Sequence, residues 1–445
     1  MPADHSEGAA IMRVMEHLLD LAGMPGAEIP VGARQMARTS LFDWLVCGRA
    51  GQAEPLARIL QEMATREGGA AQAAVFGLEG AYPARMAALV NGAISHALDY
   101  DDTHFAHIGH LSVGIYPAAL AMGQAQGATL GQVIEAFVIG AEVAIRVGLV
   151  LGAGHYNRGF HMTATAGAFG ASVAAGRLIG LSREEMRHAV GLCATRASGL
   201  KVQFGTMGKP YNAGIAASAG VETALLASMG MTAPEDGLMG AQGFVATQSD
   251  APDEAAFWRD PPVERFLFED IKYKLHACCH GTHAMIEGLL ALEPAVRDRV
   301  RAVQLRTNPR WLGVCDKTAP QTGLEVKFSY AWLAGMVLRG ISTGDERSYD
   351  DALASDGALR AFAEGVTVTG DATLSDMQAE GVVVLDDGTR VAFAHDLAVP
   401  LAQANLQAAL LRKAEAAIGP DGEALWRQIE RGGAARDLAA FVRGG

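Results

Sequence analysis

The sequence predicts a mostly α fold: a large all-helical domain with a smaller α+β domain inserted towards its C-terminal end. Three observations carry this. From Ile11 to about Met231, apolar residues recur at three- and four-residue spacings, the period of helices with a buried face. After about Asp250 a polar, proline-bearing junction, APDEAAFWRDPPVERF, gives way to alternating and β-branched runs. From Pro400 to Arg443 the helical period returns. The expected boundaries are 1–265 for the helical domain, completed by helices in 400–445, and 266–399 for the insertion.

The helical runs are IMRVMEHLLDLAG, ARQMARTSLFDWLVCG, ARMAALVNGAISHALDY and GQVIEAFVIGAEVAIRVGLVLG, with breaks such as Gly51 to Pro55 and Gly180 to Ser182. Ser182, followed three residues later by Glu185, makes a capping box for REEMRHAVGLCATRA. In the insertion, VRAVQLRT alternates, GVTVTG is β-branched, and VVVLDDGTRVAF reads as two strands about an Asp387-Gly388 turn. Between them lies a helix around KFSYAWLAGMVLRG, and Thr282-His283 opens another.

At 445 residues the chain is long for one core, and at 50% hydrophobic against 19% charged it cannot remain disordered. Its 53 glycines favour close helix approach, and the composition suits an apolar patch that closes a homo-oligomer. The net charge of -13, without any basic run, argues against nucleic acid and anionic membranes as partners. An anionic substrate would need a local cationic pocket. The N-terminus lacks the pattern of a signal peptide. Thr103 to Ile134 carries no Asp, Glu, Lys or Arg, yet histidines, Pro117, glycines and glutamines interrupt it, so no membrane span is expected. Five cysteines without framework spacing fit a reducing compartment, and a cytoplasmic location is expected.

Nine of the 13 histidines fall in three short windows. Imidazole exchanges protons near neutral pH and also binds metals, so the windows pose a choice between the two. The first, NGAISHALDYDDTHFAHIGHLS, holds Asp99, Asp101, Asp102 and Thr103 as acceptors and a hydroxyl able to orient an imidazole or a bound acid. His104, His107 and His110 are spaced by three, which on a helix would line one face and could bind metal. The plainer reading is that Asp-Asp-Thr caps the next helix and the histidines face solvent.

In the second window, GHYNRGFHMTAT, His161 opens an Ala/Gly-rich helix whose positive dipole end disfavours imidazolium. That suits a neutral base or a donor to a carboxylate, although a lone histidine there is more often structural. GTMGKPYNAG delivers Lys209 on a glycine loop at a helix start, with Pro210 at the first helical position: a candidate carboxylate pocket. The third window, YKLHACCHGTH, could be read as zinc, but adjacent cysteines fit tetrahedral geometry poorly and no second Cys-x-x-Cys pair exists. No metal is expected.

These segments, in order and with KFSYAWLAG, resemble the MmgE/PrpD family, which includes 2-methylcitrate dehydratase, cis-aconitate decarboxylase and iminodisuccinate epimerase. The resemblance runs from about Arg34 to beyond Gly340 and implies a helical domain with an α+β lid, usually a homodimer, without cofactor or metal. It implies His110 and His161 as proton carriers, with Asp99 and Thr103 orienting His110 and the substrate. Lys209 and Lys274 would hold carboxylates, Tyr330 would donate from the lid, and Cys279 occupies a variable position. His276-Ala277 replaces the usual Tyr-Pro and His280 the usual arginine, both at the pocket wall. The implied activity is a cofactor-independent hydro-lyase on a small di- or tricarboxylic acid such as 2-methylcitrate. Decarboxylation and epimerisation reuse the same residues. A metal-dependent hydrolase using the Asp/His window, or a binding protein on the same scaffold, are readings from other classes. Small-molecule sites favour the junction between domains, and the site is expected there.

Overall fold

The computed structural model describes residues 5–262 and 265–444. The fold is mostly α, with six short strands among the described residues. It divides into two compact units: residues 1–273 with 420–445, and residues 274–419. The boundaries therefore lie at 273/274 and 419/420, later than expected. Helix Gln403–Ile418 belongs to the second unit, and only the elements from Asp421 onward return to the first.

The first unit is built around helices Ala84–Ser95, Ser112–Gln126, Leu130–Arg158, Met162–Ile179 and Gly208–Ser228. Every residue from Ser112 to Gln124 and from Met162 to Gly176 is buried, so these are interior helices without a polar face. Small residues make the crossings possible. A Cβ on Gly170 would run into the carbonyl oxygen of Gly140, and a Cβ on Gly140 into that of Gly170. Gly92 and Gly214 are similarly apposed. Gly170→Ala is therefore expected to destabilise the protein by about 1–3 kcal/mol, because backbone on the facing helix must shift. Denaturant unfolding of the variant measures this; an unchanged midpoint would refute it.

The Ser182 capping box forms as expected, with Glu185 N donating to Ser182 Oγ (3.3 Å) and Ser182 N to Glu185 Oε2 (2.8 Å). Thr129 and Gln132 make another at the start of Leu130–Arg158. This unit is not all-helical. Strands β1 (Ala73–Val75) and β2 (Leu78–Tyr82) form an antiparallel hairpin through Gly77, whose φ of +71° few residues besides glycine accept. An aromatic stack of Trp44, Tyr116, Phe137 and Phe268 fills the core, with the Tyr116 and Phe137 rings nearly parallel.

A buried ion network fastens Leu130–Arg158 to the segment that follows residue 256. Arg146 and Glu142 are both fully buried. Arg146 Nε donates to Glu142 Oε1 (2.9 Å), and its two other nitrogens donate to the carbonyls of Phe257 (2.6 Å) and Asp260 (2.5 Å). Glu142 in turn accepts from the backbone N–H groups of Leu267 (3.1 Å) and Phe268 (2.9 Å).

The second unit carries a four-stranded sheet in the order β4-β3-β5-β6, where β3 is Val300–Thr307, β4 Val366–Gly370, β5 Gln378–Leu385 and β6 Arg390–Asp396. The β3/β4 pair is parallel and the others antiparallel. The strand segments are those read from the sequence, and β5 and β6 join where Gly388 takes a φ of +81°. Helix Tyr330–Leu338 is capped by Ser329, whose Oγ accepts from Trp332 N (3.3 Å). Among the described residues, no helix is long and apolar enough to cross a membrane.

Candidate active site

Helix Ala84–Ser95 ends at His96, and the chain then turns through Asp99, which holds a φ of +51°. That left-handed conformation is uncommon outside glycine, though aspartate tolerates it better than most. The turn tucks Asp101 beneath two imidazoles. His96 Nδ1 lies 2.7 Å from Asp101 Oδ1, and His110 Nδ1 lies 2.8 Å from Asp101 Oδ2. The second contact is within ion-pair range but off the line a hydrogen bond prefers. The other nitrogen of His110, Nε2, is 3.5 Å from Asp99 Oδ1, and Asp99 Oδ2 is 2.6 Å from Lys209 Nζ. The result is a chain of groups running Lys209–Asp99–His110–Asp101–His96.

His161 joins it. Its ring stacks against His96 with centroids 6.1 Å apart, while the His96 and His110 centroids are 4.5 Å apart. Asn212 Nδ2 approaches His161 Nδ1 at 3.2 Å. An amide nitrogen only donates, so Nδ1 must accept, and the neutral ring carries its proton on Nε2. Phe204 packs edge-on to His161 at 5.0 Å and also lies under Lys209 Nζ at 5.3 Å. Thr163, the second residue of helix Met162–Ile179, fixes the backbone of His110 by accepting its N–H at 2.9 Å.

The electrostatics separate these groups. Burial alone would raise the Asp101 pKa, but the His110 and His96 imidazoles overcome it and hold the carboxylate ionised. For His110 burial wins over Asp101, and its pKa falls to about 4. His161 is held well below its ordinary range, first by burial and then by the neighbouring His96 and Lys209. So at neutral pH His110 is a neutral ring beside an anion. In the tautomer with its proton on Nδ1, which faces Asp101 at 2.8 Å, Nε2 carries a lone pair: an acceptor. His161 offers the opposite, an N–H donor.

Several expectations need correcting. His104, His107 and His110 do not share a helical face, since Thr103 and His104 pair with Lys272 and Gly109 in short bridges. His104 and His107 are buried, not solvent-facing; they bond to the carbonyls of Leu267 (2.9 Å) and Ala144 (3.2 Å). Asp102 does cap the next helix, accepting from Ser112 N (3.1 Å) and Ser112 Oγ, although ten residues separate them. Burial first, with Asp101 and Asp43 nearby, lifts its pKa to about 7. Pro210 is the third residue of helix Gly208–Ser228, not the first. Both carboxylates flank His110, Asp101 at Nδ1 (2.8 Å) and Asp99 at Nε2 (3.5 Å). Asp101 is among the acceptors that the sequence marks as able to orient an imidazole, whereas His96, Asn212 and Phe204 have no assigned role there; the Ser-His-Ala-Leu-Asp-Tyr-Asp run holds the only signal for His96.

In the second unit Lys274 and His280 are buried, Cys279 is partly exposed and Tyr330 is fully buried. Tyr330 Oη donates to the Gly281 carbonyl at 2.9 Å and lies 3.3 Å from Thr307 Oγ1, so its hydroxyl is already engaged. The Cys315 thiol is hydrogen-bonded to the Cys279 side chain, both being free cysteines, and this contact and burial raise its pKa well above the usual range.

His96, Asp99, Asp101 and His110 offer atoms within 4.8 Å of one another that could serve a metal. However, the His96 Nδ1–Asp101 separation of 2.7 Å is that of a shared proton. Two ligands on one tetrahedral ion lie about 3.3 Å apart, given bonds near ~2.0 Å. The donor set fits proton sharing better than metal binding.

The buried imidazoles also set an acid limit. Folded pKa values of about 4 for His104, about 3 for His107 and about 4 for His110 lie below the ordinary 6.5, and His161 is lowered too. Their stabilising contribution is complete above 6.5 and is lost as pH falls towards those values. Asp102, raised from 3.8 to about 7, acts in the opposite direction. Four imidazoles outweigh one carboxyl, so Tm is expected to fall between pH 6.5 and 4, and less steeply in His107→Gln. Calorimetry over that range checks it; a flat Tm would contradict it.

Residues 21–255 match the model of the MmgE/PrpD N-terminal domain and residues 276–431 that of the MmgE/PrpD C-terminal domain. Among curated proteins, the chain is 29% identical over 301 residues to the cis-aconitate decarboxylase-like protein oryM of Aspergillus oryzae, covering 63% of this chain and 61% of that protein. It is 29% identical over 297 residues to a cis-aconitate decarboxylase of Aspergillus terreus (63% and 60% covered). It is 31% identical over 157 residues to the human cis-aconitate decarboxylase (34% and 32% covered). The match thus spans about three fifths of the length of the first two relatives.

Proposed function

The chain belongs to the MmgE/PrpD family, and on that premise we propose that it is a lyase acting on a small di- or tricarboxylic acid by imidazole proton transfer next to a carboxylate. The observation that carries this reading is the His110–Asp101 pair, a neutral buried ring with an anion at Nδ1 and a lone pair at Nε2. His110 takes the proton from the carbon beside a substrate carboxylate, while Asp101 stabilises the imidazolium that forms. The electron pair left behind forms the double bond as the hydroxyl leaves the neighbouring carbon, taking up the proton that His110 removed and departing as water. The His161 N–H and the Lys209 ammonium stabilise the negative charge that develops on the carboxylate. An incoming carboxylate competes with Asp99 for Lys209.

A base-ready His110 favours proton abstraction, and so a hydro-lyase of the 2-methylcitrate type stands first. Decarboxylation stands second, favoured by the similarity to cis-aconitate decarboxylases; it needs an acid to protonate the carbanion rather than a base. Tyr330 as a proton donor, and Lys274, Cys279, His280 and Thr103 as substrate contacts, stay proposals on the resemblance alone. The cofactor-free chemistry, the homodimer and the cytoplasmic location are likewise proposals. A metal-dependent hydrolase would be favoured instead by a stoichiometric transition metal whose removal abolishes activity.

The test is incubation with 2-methylcitrate, citrate, cis-aconitate and iminodisuccinate in D₂O, followed by NMR. Loss of water from a 2-hydroxy acid supports the first reading, and carbon dioxide release from cis-aconitate the second. Deuterium incorporation without net product would indicate epimerisation. Turnover of none of these acids by folded protein would overturn the proposal.

A further inference from the structure

Within the second unit lies a cavity of about 400 Å³, towards the small end of ligand pockets. Arg297, Arg412 and Lys413 line it, together with His276, Glu287 and Thr343. Three cationic side chains against one carboxylate leave a surplus of two positive charges before His276 is counted. That is notable in a chain of net charge -13.

The one carboxylate is already engaged. Glu287 Oε1 is 3.1 Å from His276 Nε2, and His276 Nδ1 is 2.8 Å from Thr343 Oγ1. Burial would raise the Glu287 pKa, but the His276 hydrogen bond and the charges of His276, His395 and Arg412 bring it below the usual range. Arg297 differs from the paired surface arginines elsewhere in the chain. Its Nε is buried without a hydrogen-bond partner, and its side chain makes no ion pair with any described residue. Leaving a buried guanidinium N–H without an acceptor is costly, and an oxygen ligand would supply one. Lys413 is only 4% exposed, so part of the positive charge is held away from bulk water.

We propose that this cavity binds a small dianion with oxygen acceptors on two sides, a phosphate monoester or a short dicarboxylate. Guanidinium forks match both groups in bidentate fashion, and the Thr343 hydroxyl adds a further polar contact. Arg297, Arg412 and Lys413 carry no role in the proposed chemistry, so the proposal does not rest on it.

The experiment titrates the full chain with inorganic phosphate and, separately, with succinate, at constant ionic strength, reading Tm and heat of binding. It uses wild type, Arg297→Gln, Arg412→Gln and Lys209→Ala. A saturable Tm rise with at least one anion is expected, with apparent affinity about ten-fold weaker in each arginine variant and little changed in Lys209→Ala. A response to phosphate alone assigns a phosphate ester; a response to succinate alone assigns a dicarboxylate. No saturable response to either, a response surviving in both arginine variants, or one lost in Lys209→Ala would each overturn the proposal.

Discussion

Replacing His110 with asparagine is expected to lower kcat by about 10²–10⁴-fold, the range for removal of a single acid/base group. The fold should persist, because the backbone of His110 is held by Thr163 and the substitution is smaller than the ring it replaces. The geometry also separates His110 from His161 in kind. His110 presents a lone pair at Nε2 and Asp101 behind it, whereas Asn212 fixes His161 as a donor. With a substrate that carries a hydrogen beside its carboxylate, His110→Asn should therefore abolish exchange of that hydrogen with D₂O. His161→Ala should slow turnover while exchange remains measurable. The rates come from steady-state kinetics and the exchange from NMR. Near-full turnover by folded His110→Asn would remove the assignment, and equal loss of exchange in both variants would remove the division of roles.

Replacing Arg146 with methionine is expected to cost about 3–5 kcal/mol of stability, the penalty for leaving one partner of a buried pair uncompensated. For a domain of this size that corresponds to a Tm lowered by about 5–8 °C. The mechanism is specific. Glu142 would remain buried with its charge, still holding Leu267 and Phe268, while the carbonyls of Phe257 and Asp260 lost their donor. Adding Glu142→Gln should recover part of the loss, because the stranded charge goes with it. Thermal unfolding of the single and double variants gives both numbers. A cost under about 1 kcal/mol, or simple additivity, would show that the network contributes little.

Which features were readable in the sequence follows from how local their causes are. The strand Val300–Thr307 and the hairpin about Gly388 rest on alternation and turn chemistry within a few residues, and both were placed correctly. The β1/β2 hairpin was missed because AAVFGLEGAY is short and alanine-rich, with no alternation to betray it. Among Asp99, Asp101 and Asp102, composition could not choose. The positive φ at Asp99 turns Asp101 inward between two imidazoles and leaves Asp102 to cap a helix ten residues away. His104 and His107 looked like surface loop because their partners, the carbonyls of Leu267 and Ala144, are remote in sequence. The role of Asn212 depends on an approach of 3.2 Å between different helices, which no spacing along the chain announces.

The discontinuity of the first unit has a consequence for biosynthesis. Phe42 meets Trp426 edge to face at 5.1 Å, Gly77 N donates to the Val442 carbonyl at 3.0 Å, and Leu130 N to the Gly433 carbonyl at 2.8 Å. When residue 273 leaves the ribosome, the helices carrying His110 and His161 can already assemble, but the groove that takes the last elements is still open. At about 5–20 residues per second, the ~170 residues from there to Gly445 take roughly 10–35 s to arrive. Throughout that interval Phe42 and its neighbours stay uncovered on the nascent chain, a window in which a chaperone has a defined apolar surface to hold.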